Sequence, residues 1–402
     1  EALKRSTSVY LVDRVVPMFP ERLSNDICSL LPDQDRLCFS AVFEFDESAA
    51  VVSEWFGKTV INSDFRFTYE EAQRIIEKRE GKFASELGEL NRIAKTLREE
   101  RFRKGSIAFD RVEIKFNLGE KGEPLSLYFN ETKDSNILIE ELMLLANKQV
   151  AFLIGNPKGN KRPKTFVYRI HDKPDPEKLE SFNSFIHRFG YSIKLNSVKD
   201  ISDSINSLLQ NVKGKKEQNV VESLAVRSMA KAKYSTKNIG HYGLAFDFYT
   251  HFTSPIRRYP DVVAHRLLER YLNGDRSVSA NKYEDMCRHS SSMEERAANA
   301  ERASVKYKQV EFMQNHLGEI YPGVISGVTD WGIYVELENK IEGMIPIREL
   351  NDDFYIFDEK QYALIGRHKN KVYRLGDEIE VEIWRTNLEL KQLDFRLAIN
   401  NK

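Results

Sequence analysis

A single proline splits the stretch HYGLAFDFYTHFTSPIRRYPDVVAHRLL, His241 to Leu268, into an aromatic approach and an amphipathic helix. Pro255 is excluded from a helix interior and biases Ser254 toward an extended backbone. Val262, Val263, Leu267 and Leu268 then recur at helical spacing. The break leaves Arg257 and Arg258 near the first helical turn, where free N–H groups and the helix dipole favour an anion. A guanidinium fork at that point suits a phosphate. The plainer alternative is a pair of surface salt-bridge partners.

With 402 residues the chain exceeds the size of one ordinary core, so two domains or more are expected. Its formal net charge of zero argues against a polyanion binder charged over its whole surface, but leaves room for a local basic track. Such a track runs from Asn211 to Gly240, with Lys213, Lys215, Lys216, Arg227, Lys231, Lys233 and Lys237 against Glu217 and Glu222. Lys213 to Lys216 read as a solvated loop. Cys28, Cys38 and Cys287 lack CxxC spacing, so neither a disulfide framework nor a zinc site is expected, and a cytoplasmic location fits. No apolar run reaches the ~20 residues of a membrane span. The eight histidines are scattered, and structural hydrogen bonding is the role expected of His241, His251 and His265.

Residues Ser6 to Phe45 and Val51 to Phe67 read as strands and proline-containing connections. Thr68 with Glu71 forms a capping box that opens a helix through Ala72, Ile75 and Ile76. A second helix follows Gly81, with Leu87, Leu90, Ala94 and Leu97 on one stripe. Extended segments at Val112–Phe116 and Leu125–Phe129 precede a helix from about Asn136 to Phe152. One long helix is expected from Tyr283 to Gln314, with Ala297, Ala300, Ser304 and Tyr307 on a face of mostly small residues. From Leu317 on, short strands alternate with turns, as in a small closed barrel. The expected domains are therefore residues 1–316 and 317–402.

The string from His241 to Leu268 resembles the signature of the ribonuclease II (RNB) family of exoribonucleases. So do SVYLVDRVVPMFPERLSNDICSLLPDQDRLC, IEELMLLAN, VYRIHDKPDPEKLE and MEERAANAERAS, in the same order. The last barrel is similar to the S1-type OB fold common in that family. The resemblance implies an α+β chain: the C-terminal portion of an RNB-type catalytic domain, with a twisted or barrel-like sheet and flanking helices, then a small all-β OB-fold barrel. It also implies hydrolysis of single-stranded RNA from its 3′ end, releasing nucleoside 5′-monophosphates with Mg²⁺, by a monomer that touches no membrane.

Residue roles follow from the same resemblance. Arg257 matches the arginine that contacts the scissile phosphate, with Arg258 beside it on the RNA. Tyr10 and Phe116 match two aromatics that sandwich bases, a contact every sequence can make. Tyr69 and Glu301 match positions linked to the ribose 2′-OH, which distinguishes RNA from DNA. Trp331 and Tyr334, around the Gly332 turn, resemble the stacking pair of such barrels. Phe354 and Tyr355 sit in an apparent loop insertion with no assigned role.

The chain departs from the family in one respect. The family's Mg²⁺ ligands form a D-x-x-x-x-x-D-x-D-D cluster, and nothing here matches it; Asp33/Asp35 and Asp352/Asp353 read as turn residues. Hard divalent cations need several converging oxygens, so no metal ligand is assigned. The start at Glu1 suggests a fragment, with the aspartates and cold-shock domains encoded upstream. RNA binding without turnover is expected of the chain alone, and the competing reading is a non-catalytic RNA-binding protein.

Overall fold

The computed structural model describes residues 1–108, 113–157, 159, 162–215, 217–359 and 361–398. Val112 and Lys216, named above, lie outside the described residues.

Helix α1 (Ala2–Arg5) leads into the antiparallel pair β1 (Val9–Tyr10) and β2 (Val15–Val16). Between them and the hairpin of β3 (Asp35–Phe45) and β4 (Val51–Asn62) lies a π-helical turn, Arg22–Ile27. The sequence suggested only strands and connections there. Pro20 decides otherwise: its fixed φ suits the start of a helical turn, and its carbonyl accepts the Leu23 and Ser24 amides at 2.8 and 3.1 Å.

Helix α2 (Tyr69–Lys78) opens on the expected capping box, with Glu71 N donating to Thr68 Oγ1 and Thr68 N to the Glu71 carboxylate. It packs with α3 (Ala84–Arg103) and α4 (Asp134–Gly155). Arg101 of α3 and Glu141 of α4 form a buried ion pair, with the guanidinium also donating to Ser106 Oγ at 2.6 Å. The hairpin β5 (Glu113–Leu118) and β6 (Pro124–Asn130) separates these helices in sequence.

Strand β7 (Tyr168–Ile170) pairs with β8 (Lys233–Ser235), and between them run α5 (Pro176–Ile186), α6 (Val198–Val212) and α7 (Gln218–Ser228). Then come α8 (Tyr259–Leu272) and the 34-residue α9 (Ala280–Met313). At 1.5 Å per residue α9 spans about 50 Å, and it becomes the spine of the site.

A 3₁₀ turn, Gln314–His316, links α9 to the barrel strands. Strands β9 (Ile320–Thr329), β10 (Gly332–Leu337) and β11 (Glu342–Pro346) precede an inserted sheet of β12 (Tyr355–Asp358), β13 (Ala363–Gly366) and β14 (Val372–Arg374). Strands β15 (Glu378–Asn387) and β16 (Gln392–Leu397) close the barrel in the order β10-β11-β16-β15-β9. Before the barrel, the described strands pair two by two.

Two apolar cores result. One joins the β3–β4 hairpin, α4 and α8 around Phe166, Leu267 and Leu268. The other is continuous from α5, α6 and α7 through Val310 and Met313 of α9 into the barrel interior, at Ile325, Ile333 and Phe395. Each fully buried Leu or Ile contributes roughly 1.5–3 kcal/mol relative to exposure. The barrel is therefore fastened to the rest by shared core. Among the described residues no helix is long and apolar enough to cross a membrane.

Candidate functional site

Pro255 acts as its chemistry requires. The chain turns at Ser254, whose carbonyl accepts the amides of Arg257 and Arg258 at 3.3 and 3.1 Å, and α8 begins at Tyr259. Arg257 thus precedes the helix with an exposed guanidinium. That group makes no hydrogen bond or ion pair among the described residues.

Its backbone is engaged instead. The Arg257 carbonyl accepts from Ser8 N at 3.0 Å and Thr7 Oγ1 at 3.2 Å, and Tyr259 N donates to Ser6 O at 2.8 Å. These bonds lay residues 6–8 along the arginine turn and carry β1 past it. Two residues on, Tyr10 N donates to Glu301 Oε1 at 2.8 Å, and Val12 N to Ser304 Oγ at 3.1 Å. Glu301 and Ser304 are three apart on α9 and so share a face. Arg257, Tyr10 and Glu301 are thereby brought together from positions some 290 residues apart in sequence. The Tyr10 side chain is 46% exposed beside them.

Two expected site residues are otherwise occupied. Arg258 is not a free phosphate ligand, because its guanidinium makes two 2.9 Å bonds to the fully buried Asp261 carboxylate, which also accepts Ser254 N at 2.7 Å. The plainer salt-bridge alternative describes Arg258, although the pair is buried rather than superficial. Phe116 is 9% exposed and packs against Phe312 of α9, ring centroids 6.3 Å apart. Strand alternation explains this: Lys115 and Asn117 face outward, so Phe116 turns inward. The exposed aromatics of the β5–β6 hairpin are Tyr128 and Phe129.

Tyr69, first residue of α2, is 51% exposed. No hydrogen bond or ring contact joins it to the Arg257 turn among the described residues.

In the barrel, Ile333, Val335 and Leu337 of β10 point inward, which sends Tyr334 to the outer surface. Trp331, 56% exposed, donates its indole N–H to the Tyr334 hydroxyl at 3.1 Å. Gly332 between them has φ +155°, and a Cβ there would lie 2.3 Å from Ile345 O, so the turn that presents the pair requires glycine.

The expected roles of Asp352 and Asp353 as turn residues agree with their contacts. Asp352 bonds Tyr355 and Lys371, and Asp353 accepts backbone amides of the following turn. Among the described residues no three His, Cys, Asp or Glu side chains gather as metal ligands would.

Comparison with known families decides the classification. The RNB domain model matches residues 1–274, and the S1 RNA binding domain model matches residues 315–397. The chain belongs to the RNB domain family. Similar proteins include Ribonuclease R 1 of Lactococcus lactis subsp. lactis (strain IL1403), 38% identical across 98% of this chain and 49% of that protein. Ribonuclease R of Aquifex aeolicus (strain VF5) is 36% identical across 99% and 57%. The chain thus spans about half the length of these curated relatives. The structure of Mycoplasma genitalium RNase R in complex with ribose methylated single-stranded RNA superimposes with TM-score 0.90 at 28% identity, covering 99% of this chain and 63% of that one. Yeast Ssd1, described as a pseudonuclease, shares the fold at TM-score 0.70 and 20% identity.

Beneath the RNB arginine turn lies a layer the sequence resolved only in part. His171 is fixed as a neutral tautomer, with Nδ1 accepting Gly243 N at 3.0 Å and Nε2 donating to Ala230 O at 2.7 Å. His265 Nε2 donates to Phe252 O, and the Tyr234 hydroxyl meets His251 Nδ1 at 2.8 Å. Burial pushes His241 down to about 3 and holds His251 well below the usual imidazole value, with Arg258 and Arg169 adding to the effect on His251. Structural hydrogen bonding, the role expected of His241, His251 and His265, is what the contacts of His251 and His265 provide, whereas His241 Nδ1 is buried without a hydrogen-bond partner among the described residues. The sequence signals Asp261 only through its i,i+3 spacing from Arg258 in RRYPD.

Proposed function

We propose that this chain is the RNA-gripping portion of a hydrolytic 3′→5′ exoribonuclease that threads single-stranded RNA and releases nucleoside 5′-monophosphates. The observation that carries the reading is the exposed Arg257 guanidinium, unpaired among the described residues, on a turn whose carbonyl anchors the strand that leads to Tyr10 and Glu301. A cation with no internal partner, beside an exposed aromatic ring and a carboxylate, offers one group each for phosphate, base and ribose hydroxyl. In this reading Arg257 stabilises charge on the scissile phosphate, Tyr10 stacks a terminal base, and Glu301 and Tyr69 face the 2′-OH. Trp331 and Tyr334 stack the strand further from its end.

RNB-family ribonucleases are generally metal-dependent, and Mg²⁺ is the ion proposed here. The described residues do not fit it: no converging carboxylates are present, and Asp353 is committed to backbone amides. No catalytic step is therefore assigned to a metal within this chain. The chain alone binds RNA without turnover, in the cytoplasm and as a monomer. The alternative is a non-catalytic RNA-binding protein that retains the RNA channel.

One experiment bears on these points. A fluorescent oligoribonucleotide with a free 3′ end is titrated with the chain, and nucleotide release is followed by chromatography with and without Mg²⁺. Saturable binding without nucleoside monophosphates is expected. Monophosphates from this chain alone would overturn the binding-only statement, and absence of RNA binding would overturn the whole reading. Restored turnover on adding a segment that supplies carboxylate ligands favours the nuclease over the non-catalytic protein.

A further inference from the structure

The three-stranded sheet inserted between β11 and β15 presents a second surface of the same chemical kind. Phe354 and Tyr355 head it, and they part ways. Tyr355 is 5% exposed and packs on Tyr373, ring centroids 5.4 Å apart, whereas Phe354 is 62% exposed. The Phe354 carbonyl accepts Arg367 N at 2.9 Å, which holds the Phe354 backbone beside the β13–β14 turn. That turn reads Arg367-His368-Lys369-Asn370-Lys371, and all five residues are exposed.

Two acids neighbour the turn, and the nearer of them, Asp353, is spent on the backbone. Asp353 accepts Phe354 N at 2.7 Å, His368 N at 2.9 Å and Lys369 N at 2.6 Å. Gly366 makes this possible, since a Cβ there would lie 2.7 Å from Asp353 Oδ2. Asp352 takes Lys371 at 3.2 Å. Arg367 and Lys369 keep side chains with no acidic partner among the described residues. The insert is also tied to the barrel's aromatic pair: Trp331 O accepts Ile347 N at 2.8 Å, seven residues before Phe354.

We propose that this insert is a second contact for single-stranded RNA, in which Phe354 stacks one base while Arg367 and Lys369 hold the adjoining phosphates. An exposed ring fixed next to unpaired cations is the combination that tracks a single strand without reading its sequence. The inference rests on the RNA-binding reading above and extends the strand's path beyond Trp331 and Tyr334.

The test uses the whole chain and an unstructured oligoribonucleotide of ~20 nucleotides, longer than one OB fold covers. Phe354→Ala is expected to weaken binding about fivefold, the lower end for one stacked base, with Phe354→Trp restoring it. The double variant Arg367→Ala/Lys369→Ala should reduce the slope of log K against log[salt] by about 1.4, two phosphates on a single strand. All three substituted side chains are exposed, so melting temperature serves as the control for folding. Unchanged affinity and salt slope in these variants, with Trp331→Ala still weakening binding, would overturn the insert contact alone. If the unsubstituted chain binds no RNA, the broader functional reading fails and the insert contact with it. Preference of the Phe354 surface for duplex over single-stranded RNA likewise overturns the proposal.

Discussion

Two adjacent arginines carry opposite duties, and the difference lies in what their neighbours offer. Arg258 neutralises Asp261, which is fully buried and also caps the Ser254 amide. Removing one partner of such a pair strands a buried charge, which costs about 3–5 kcal/mol. Asp261→Ala should therefore lower the urea unfolding free energy by that amount, and a loss under ~1 kcal/mol would show the pair to be solvent-screened. Arg257 has no such internal duty. Arg257→Ala should leave stability within ~0.5 kcal/mol while reducing the salt slope of RNA binding by about 0.7. In an active enzyme containing this chain, the same change should cut turnover far more than RNA affinity. Equal losses in both would count against transition-state stabilisation.

At the scale of elements, α9 organises the site. Along one helix Glu294 pairs with Arg169, Glu301 and Ser304 receive the β1 segment, Lys308 donates to Gly122 O at 2.5 Å, and Phe312 meets Phe116. Lys306 reaches the Glu342 carbonyl of the barrel. Of the small-residue face expected from Ala297 to Tyr307, Ser304 receives the chain just after β1, whereas Ala300 and Tyr307 are exposed. The double variant Glu301→Ala/Ser304→Ala should speed hydrogen exchange at the Tyr10 and Val12 amides, leaving amides in α8 protected. Equal acceleration across α8 would mean that α9 supports the whole core rather than holding this strand.

Over the whole molecule, the buried histidines make stability depend on pH. His171, His241, His251 and His265 are all lowered, burial being the largest cause in each. Unfolded, each binds a proton near pH 6.5; folded, each stays neutral to lower pH. The unfolded state thus takes up more protons as pH falls, so stability is complete above about 6.5 and declines below it. For His241 the decline continues toward about 3. Each such histidine contributes a slope of up to about 1.4 kcal/mol per pH unit. Urea midpoints should fall between pH 7 and pH 5, above the range where most carboxylates titrate. A flat profile there would contradict the buried neutral imidazoles.

Much was legible in the sequence because it depends on neighbours along the chain. The Thr68 capping box, the turn at Pro255, the long α9, the strand spacing of the barrel and the glycine between Trp331 and Tyr334 all express local backbone rules. The order of motifs likewise carried the RNB resemblance. What the sequence could not state is which side chains remain free once distant segments meet. Phe116 and Tyr10 look equivalent as aromatics near strands, yet one packs on Phe312 and the other stays open. Arg257 and Arg258 are adjacent, yet among the described residues only Arg258 has a carboxylate partner. Helix starts and turns follow from local sterics and hydrogen bonding. The availability of a charge or a ring for RNA depends on burial and pairing across hundreds of residues, and only the tertiary structure decides that.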